Sequence, residues 1–165
     1  MEIGESLVGS YMRQVHGCHS IAYNTHTSRQ AELDVIGVAD SPEGVHVWLA
    51  EVAVHLDGLN YGGYQRTVAK IGQKVDSARS YAMQVYPQAK RTVEFWSPVV
   101  PAGLTQQLVD TLPHVHFVIN DEFTQRVNEL AAIARTSTSL SGDDAFRMLQ
   151  LLTHLRGPRP RFGPA

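Results

Sequence analysis

Residues 32–56 read ELDVIGVADSPEGVHVWLAEVAVHL. Two runs rich in β-branched residues, Glu32 to Ala39 and Val45 to Leu56, flank Ser41-Pro42-Glu43-Gly44. Ser first, Pro second and Gly fourth is the signature of a type I turn. The flanking runs have the length and composition of strands. The stretch therefore predicts a β-hairpin, and its second strand is apolar enough to be central in a sheet. Asp34 lies seven residues before Ser41, and Glu51 lies seven residues after Gly44. A symmetric hairpin sets these carboxylates opposite each other on one face, with Cβ atoms about 5 Å apart. A glycine bulge at Gly44 would shift that register by one residue.

Working outward, Glu2 to His16 has helical spacing in Leu7, Val8, Tyr11, Met12 and Val15, and Gly17 stops it. Cys18 to Thr27 reads as a strand, and Ser28 to Gln30 as a turn. Downstream, Asp57 to Gly63 (DGLNYGG) is a glycine-rich loop. Tyr64 to Val85 is a helix with an apolar stripe of Val68, Ile71, Val75, Ala78, Ala82 and Val85. Pro87 ends it. Thr92 to Val100 is a strand, Ala102 to Leu112 a helix and His114 to Asn120 a strand. Asp121 caps a helix running to about Arg135. A Ser/Thr loop, Thr136 to Gly142, precedes a last helix from Asp143 to about Leu155.

This order predicts an α/β domain: a mixed β-sheet of about five strands flanked by helices on both faces, with extra C-terminal helices. Residues 1–156 are expected to form one domain, with 157–165 (GPRPRFGPA) a flexible tail. Phe146, Leu149, Leu152 and Leu155 make a stripe that either packs on the domain or pairs two copies of the chain as a homodimer.

Hydrophobic residues make up 43% and charged residues 18%, an ordinary globular balance. No apolar run reaches the roughly 20 residues of a membrane helix. The N-terminus lacks the pattern of a signal peptide. Cys18 is the only cysteine, so no intrachain disulfide forms, and a reducing cytoplasm suits the chain. The net charge of −2 does not mark a nucleic-acid binder, but the cations are unevenly placed. Lys70, Lys74, Arg79, Lys90 and Arg91 follow the acids of the hairpin, and the tail carries Arg156, Arg159 and Arg161.

Two carboxylates set face to face repel unless a cation or a proton lies between them. Glu51 also stands in an apolar strand, where an unpaired charge is costly. Hard oxygen ligands at this spacing suit Mg2+ or Mn2+. The plainer alternative is that one of the two is an edge charge or pairs with a basic residue.

Helix, three strands, helix and strand, with Asp on the second strand and Glu on the third, resembles the PD-(D/E)xK nuclease superfamily. This is the restriction-endonuclease-like fold, which includes Holliday-junction resolvases. The resemblance covers about Glu5 to Asn120. It implies a metal-dependent endonuclease acting on DNA, with Asp34 as the first metal-ligating acid and Glu51 as the acid of the (D/E)xK element. Glu5 matches an acid on the first helix that joins the metal site in some members. The motif lysine belongs two residues after Glu51, where this chain has Ala53.

Another lysine is within reach. From Glu51 a strand covers about 17 Å to Leu56. A helix that starts near Gly63 and doubles back covers the same distance in about 11 residues, which arrives at Lys74. Lys70, one turn earlier, is the second choice. Asp34 and Glu51 then hold the metal, and the lysine orients water or stabilises developing charge. The same fold without catalysis, binding nucleic acid or a protein partner, is the alternative that Ala53 supports.

The loop and helix start add candidate nucleic-acid contacts. Asn60, Tyr61 and Tyr64 suit backbone contact or base stacking, and Gln65 and Arg66 suit phosphate. His55, on the Glu51 face, is a further contact. The eight histidines show no HExxH or Cys/His spacing for zinc, and no GxSxG element marks a serine hydrolase. Trp48 and Trp96 read as core aromatics, and Cys18 as a buried small residue.

Overall fold

The computed structural model describes residues 2–26, 31–139 and 143–157. Along the chain run α1 (Ile3–Gln14), β1 (Ser20–His26), β2 (Glu32–Ser41), β3 (Gly44–Val52), α2 (Tyr64–Val85), β4 (Lys90–Ser97), α3 (Ala102–Thr111), β5 (His116–Ile119), α4 (Asp121–Thr136) and α5 (Asp144–Thr153). The expected turn 28–30, the end of the Ser/Thr loop (140–142) and all of the tail but Gly157 lie outside the described residues.

The hairpin forms as its spacing predicts. β2 and β3 pair antiparallel from Ser41 opposite Gly44 to Val35 opposite Ala50, with no change of register. The Ser41 hydroxyl donates to the Gly44 carbonyl at 2.8 Å and accepts the Glu43 N–H at 3.3 Å. Gly44 takes φ +113°, which a side chain would strain. β1 adds antiparallel to β2, while β4 and β5 add parallel beyond β3, so the sheet order is β1-β2-β3-β4-β5. Parallel neighbours need crossovers, which α2 and α3 supply.

The sheet is packed on both faces. Val47, Leu49, Val93 and Phe95 meet Ile71 and Val75 of α2 and Leu104 and Leu108 of α3. Val35, Ala50, Trp96 and Val118 meet Val8 and Met12 of α1, Leu130 of α4 and Phe146 of α5. At Gly37, α1 comes so close that a Cβ would lie 2.8 Å from the Met12 sulfur and 2.9 Å from the Cys18 sulfur. Cys18 is buried, as expected. The stripe of α5 turns toward its own domain: Phe146 is fully buried and Leu149 packs against the same core. Among the described residues no helix is long and apolar enough to cross a membrane.

Several boundaries differ from the sequence reading. β3 stops at Val52 rather than Leu56. The Ala53 N–H still donates to the Trp96 carbonyl at 2.9 Å, but the His55 N–H turns back onto the Ala53 carbonyl at 3.1 Å. β4 stops at Ser97, one residue before Pro98, which has no N–H for the ladder. Asp121 does not cap α4 but is its first residue. Asn120 precedes it at φ +53°, accepting the Val100 N–H at 2.8 Å and donating to the Val100 carbonyl at 3.0 Å.

Candidate active site

Val35 and Ala50 face α1, so the next residues along, Asp34 and Glu51, turn to the α2 face. The backbone ladder ends at the Val35–Ala50 pair. The Asp34 carboxylate then takes over from the backbone: its Oδ2 accepts the Val52 N–H at 2.7 Å. This contact fixes Asp34 against the end of β3 and beside Glu51.

Lys74 lies on the flank of the buried α2 stripe, between Ile71 and Val75 in sequence. Its stem runs over the sheet and its ammonium reaches both acids. Lys74 Nζ donates to Glu51 Oε2 at 2.7 Å and to Asp34 Oδ2 and Oδ1 at 3.3 and 3.5 Å. Glu51 is 1% exposed, and its other oxygen, Oε1, is buried with no hydrogen-bond partner. Burial, reinforced by the neighbouring Asp34 charge, pushes the Glu51 carboxyl up to about 7 in spite of the ammonium. Burial works against the Lys74 charge, but Glu51 and Asp34 together outweigh it and push Lys74 up to about 12. Lys74 therefore stays a cation at neutral pH, while Glu51 titrates near neutrality.

Ala53 is buried in the core on the α2 side. The cation reaches the acids from the helix instead. Lys70 does not join them. Its ammonium rests 3.8 Å from the centre of the Tyr61 ring. Tyr61 is held by its own N–H, which donates to Thr67 Oγ1 at 2.9 Å. Burial raises the Tyr61 phenol, with Asp34 and Glu51 adding to the shift and Lys74 opposing it.

Because β3 ends at Val52, strand alternation does not carry His55 onto the Glu51 face. His55 meets the cluster indirectly, with Nε2 at 3.3 Å from the Tyr61 hydroxyl. Asn60 is a brace within the loop: its Oδ1 accepts the Gly62 and Gly63 N–H groups at 3.0 and 2.7 Å, so that oxygen is not free for a ligand. The Tyr64 ring packs over Gly103 of α3. Gln65 and Arg66 are exposed in the first turn of α2.

Glu5 lies on α1, which packs on the other sheet face, and its carboxylate is engaged there. Oε2 accepts the Glu2 N–H at 2.8 Å and Oε1 accepts from Asn24 Nδ2 at 3.1 Å. Among the described residues no group of three or more His, Cys, Asp or Glu side chains is arranged to hold a metal ion. The cluster is thus two carboxylates and one lysine.

A further buried acid, Glu94, escaped the sequence reading. The criterion that singled out Glu51, a charge inside an apolar strand, applies equally to Glu94 in TVEFW. It is 2% exposed, on the α1 face, and its Oε2 accepts the Trp96 indole N–H at 2.8 Å. Burial raises its carboxyl.

No family model matches the chain, and no curated protein matches it. Comparison with solved structures finds a crystal structure of a repair endonuclease from Pyrococcus abyssi. The likeness has a TM-score of 0.42 at 16% identity, over 71% of this chain and 46% of that one. The chain therefore spans about half the length of that protein.

Proposed function

We propose that the chain is a metal-dependent endonuclease that hydrolyses phosphodiester bonds of DNA at Asp34, Glu51 and Lys74, with Mg2+ or Mn2+ held by the two carboxylates. The observation that carries this reading is the Glu51 carboxylate, buried with Oε1 unpartnered and facing a second acid. A buried carboxylate oxygen without a partner is costly, and a hard cation satisfies it. One or two carboxylates, completed by waters and substrate phosphate oxygens, are the usual protein share of a magnesium site, so no third acid is required.

Bound there, a divalent ion supplies positive charge to the scissile phosphate and lowers the pKa of a water. The chain's own residues do the rest. The Val52 N–H holds the Asp34 carboxylate in one orientation. Lys74, cationic at neutral pH, offers N–H donors to the attacking water and to the negative charge that grows on the phosphate. It takes the part of the motif lysine that Ala53 does not supply. Tyr64, Gln65 and Arg66 at the head of α2, with His55 behind Tyr61, are the residues set to meet the DNA.

One observation favours a second reading, a nuclease-like module that binds without cutting. Lys74 already touches both carboxylates, which gives the acids an internal counter-ion. Incubation with supercoiled DNA in Mg2+, Mn2+ or EDTA separates the two. The hydrolytic reading predicts nicking that needs metal and disappears in Asp34→Asn and Lys74→Met. DNA binding with no nicking under any of these ions supports the module and refutes the enzyme.

A further inference from the structure

Residues 58–75, GLNYGGYQRTVAKIGQKV, hold three cations and no carboxylate, in a chain of net charge −2. The three are Arg66, Lys70 and Lys74, each four residues from the next on α2. Each step advances about 6 Å along the helix and turns only about 40°, so the three form one continuous ridge on one flank. The ridge ends inside the acid pair, where Lys74 meets Asp34 and Glu51.

The other two cations have no carboxylate partner among the described residues. Lys70 is nonetheless held in place, its ammonium over the Tyr61 ring, and Tyr61 is in turn braced by Thr67 and His55. Arg66 is exposed, beside Gly62. Two carboxylates at the end of the ridge repel a polyanion. A row of unpaired cations leading up to them offsets that repulsion for a ligand that carries charge at repeated intervals. Consecutive phosphates of one strand advance only about 3.4 Å along a duplex axis, so steps of about 6 Å suit a more extended single strand.

We propose that the substrate of the Asp34–Glu51–Lys74 site is a polynucleotide strand laid along this ridge. The scissile phosphate lies at Lys74, and the next two phosphates on one side lie at Lys70 and Arg66. This rests on the hydrolytic reading and narrows it: a dinucleotide reaches only Lys74, whereas a longer strand gathers all three contacts. Lys70 is thereby a strand-binding residue rather than the replacement for the motif lysine.

Binding and cutting are tested separately on the whole chain. Fluorescence anisotropy in EDTA follows a labelled dinucleotide, tetranucleotide and twelve-mer across a salt series. Affinity rises from dinucleotide to tetranucleotide, and Lys70→Met and Arg66→Met each weaken twelve-mer binding. Each also lowers the slope of log affinity against log salt by about 0.7 for a single strand. Lys70→Arg restores both, which loss of packing around Tyr61 would not predict. Unchanged twelve-mer affinity in both Met variants overturns the ridge, as does equal kcat/KM for dinucleotide and twelve-mer. A protein that binds the twelve-mer through Lys70 and Arg66 but cuts nothing with Mg2+ or Mn2+ upholds the ridge and removes the hydrolytic reading.

Discussion

Replacing Glu51 with Gln removes a buried titrating group and leaves its shape. In the folded chain the Glu51 carboxyl stands at about 7, against an ordinary value of 4.5. The folded state therefore holds a proton on Glu51 that the unfolded state has released between these two values. Stability from this group is fully present below about 4.5 and is lost as pH rises through about 7. At about 1.4 kcal/mol per unit, the loss comes to about 3 kcal/mol. The wild-type curve alone will not display it. His16 is lowered from 6.5 to about 4 by burial and by Arg126 and His46, so it adds stability as pH rises across an overlapping window. The informative quantity is the difference between wild type and Glu51→Gln, measured by urea unfolding in EDTA at a series of pH values. That difference should move against the wild type by about 3 kcal/mol from pH 4.5 to 8. A flat difference would show that Glu51 is not a buried acid beside a second acid, and the geometry argued for the cluster would fall with it.

Lys74→Met leaves two facing carboxylates without their counter-ion. Removing one member of a buried ion pair costs about 3–5 kcal/mol, and the partial exposure of Lys74 reduces this to about 2 kcal/mol at pH 8. The cost should shrink toward pH 5 as Glu51 takes up a proton, which urea unfolding at the two pH values will register. Asp34→Asn keeps an oxygen to accept the Val52 N–H, so stability should change by less than about 1 kcal/mol while DNA nicking is abolished. Ala53→Lys, which restores the motif by sequence, forces an ammonium into the α2-side core. It should destabilise the fold by about 2–4 kcal/mol and raise no nuclease activity, measured by thermal unfolding and plasmid nicking.

The centre of the site was legible because turn chemistry and strand periodicity are local. Ser41, Pro42 and Gly44 fix the turn, the turn fixes the register, and the register brings Asp34 to Glu51. Lys74 is reached by adding strand and helix rises, although β3 stops at Val52, short of Leu56. What the sequence hid depends on long-range contacts. The apolar residues Val54 and Leu56 read as more strand, yet they are 38% and 80% exposed, because the chain bends away after Ala53. Nothing in the loop sequence announces that the Asn60 oxygen braces Gly62 and Gly63. Glu5 was expected at the metal, but nothing in its own segment announces that Asn24 occupies its carboxylate from the neighbouring strand.

The central claim is that Asp34 and Glu51 together hold a divalent cation. A crystal structure of the protein soaked in Mn2+, with its anomalous map, tests it most directly. The account predicts a single peak within about 2.2 Å of one oxygen from each carboxylate, with the Lys74 ammonium moved off the line between them. A map with no peak there, and with Lys74 still bridging both acids, would contradict it.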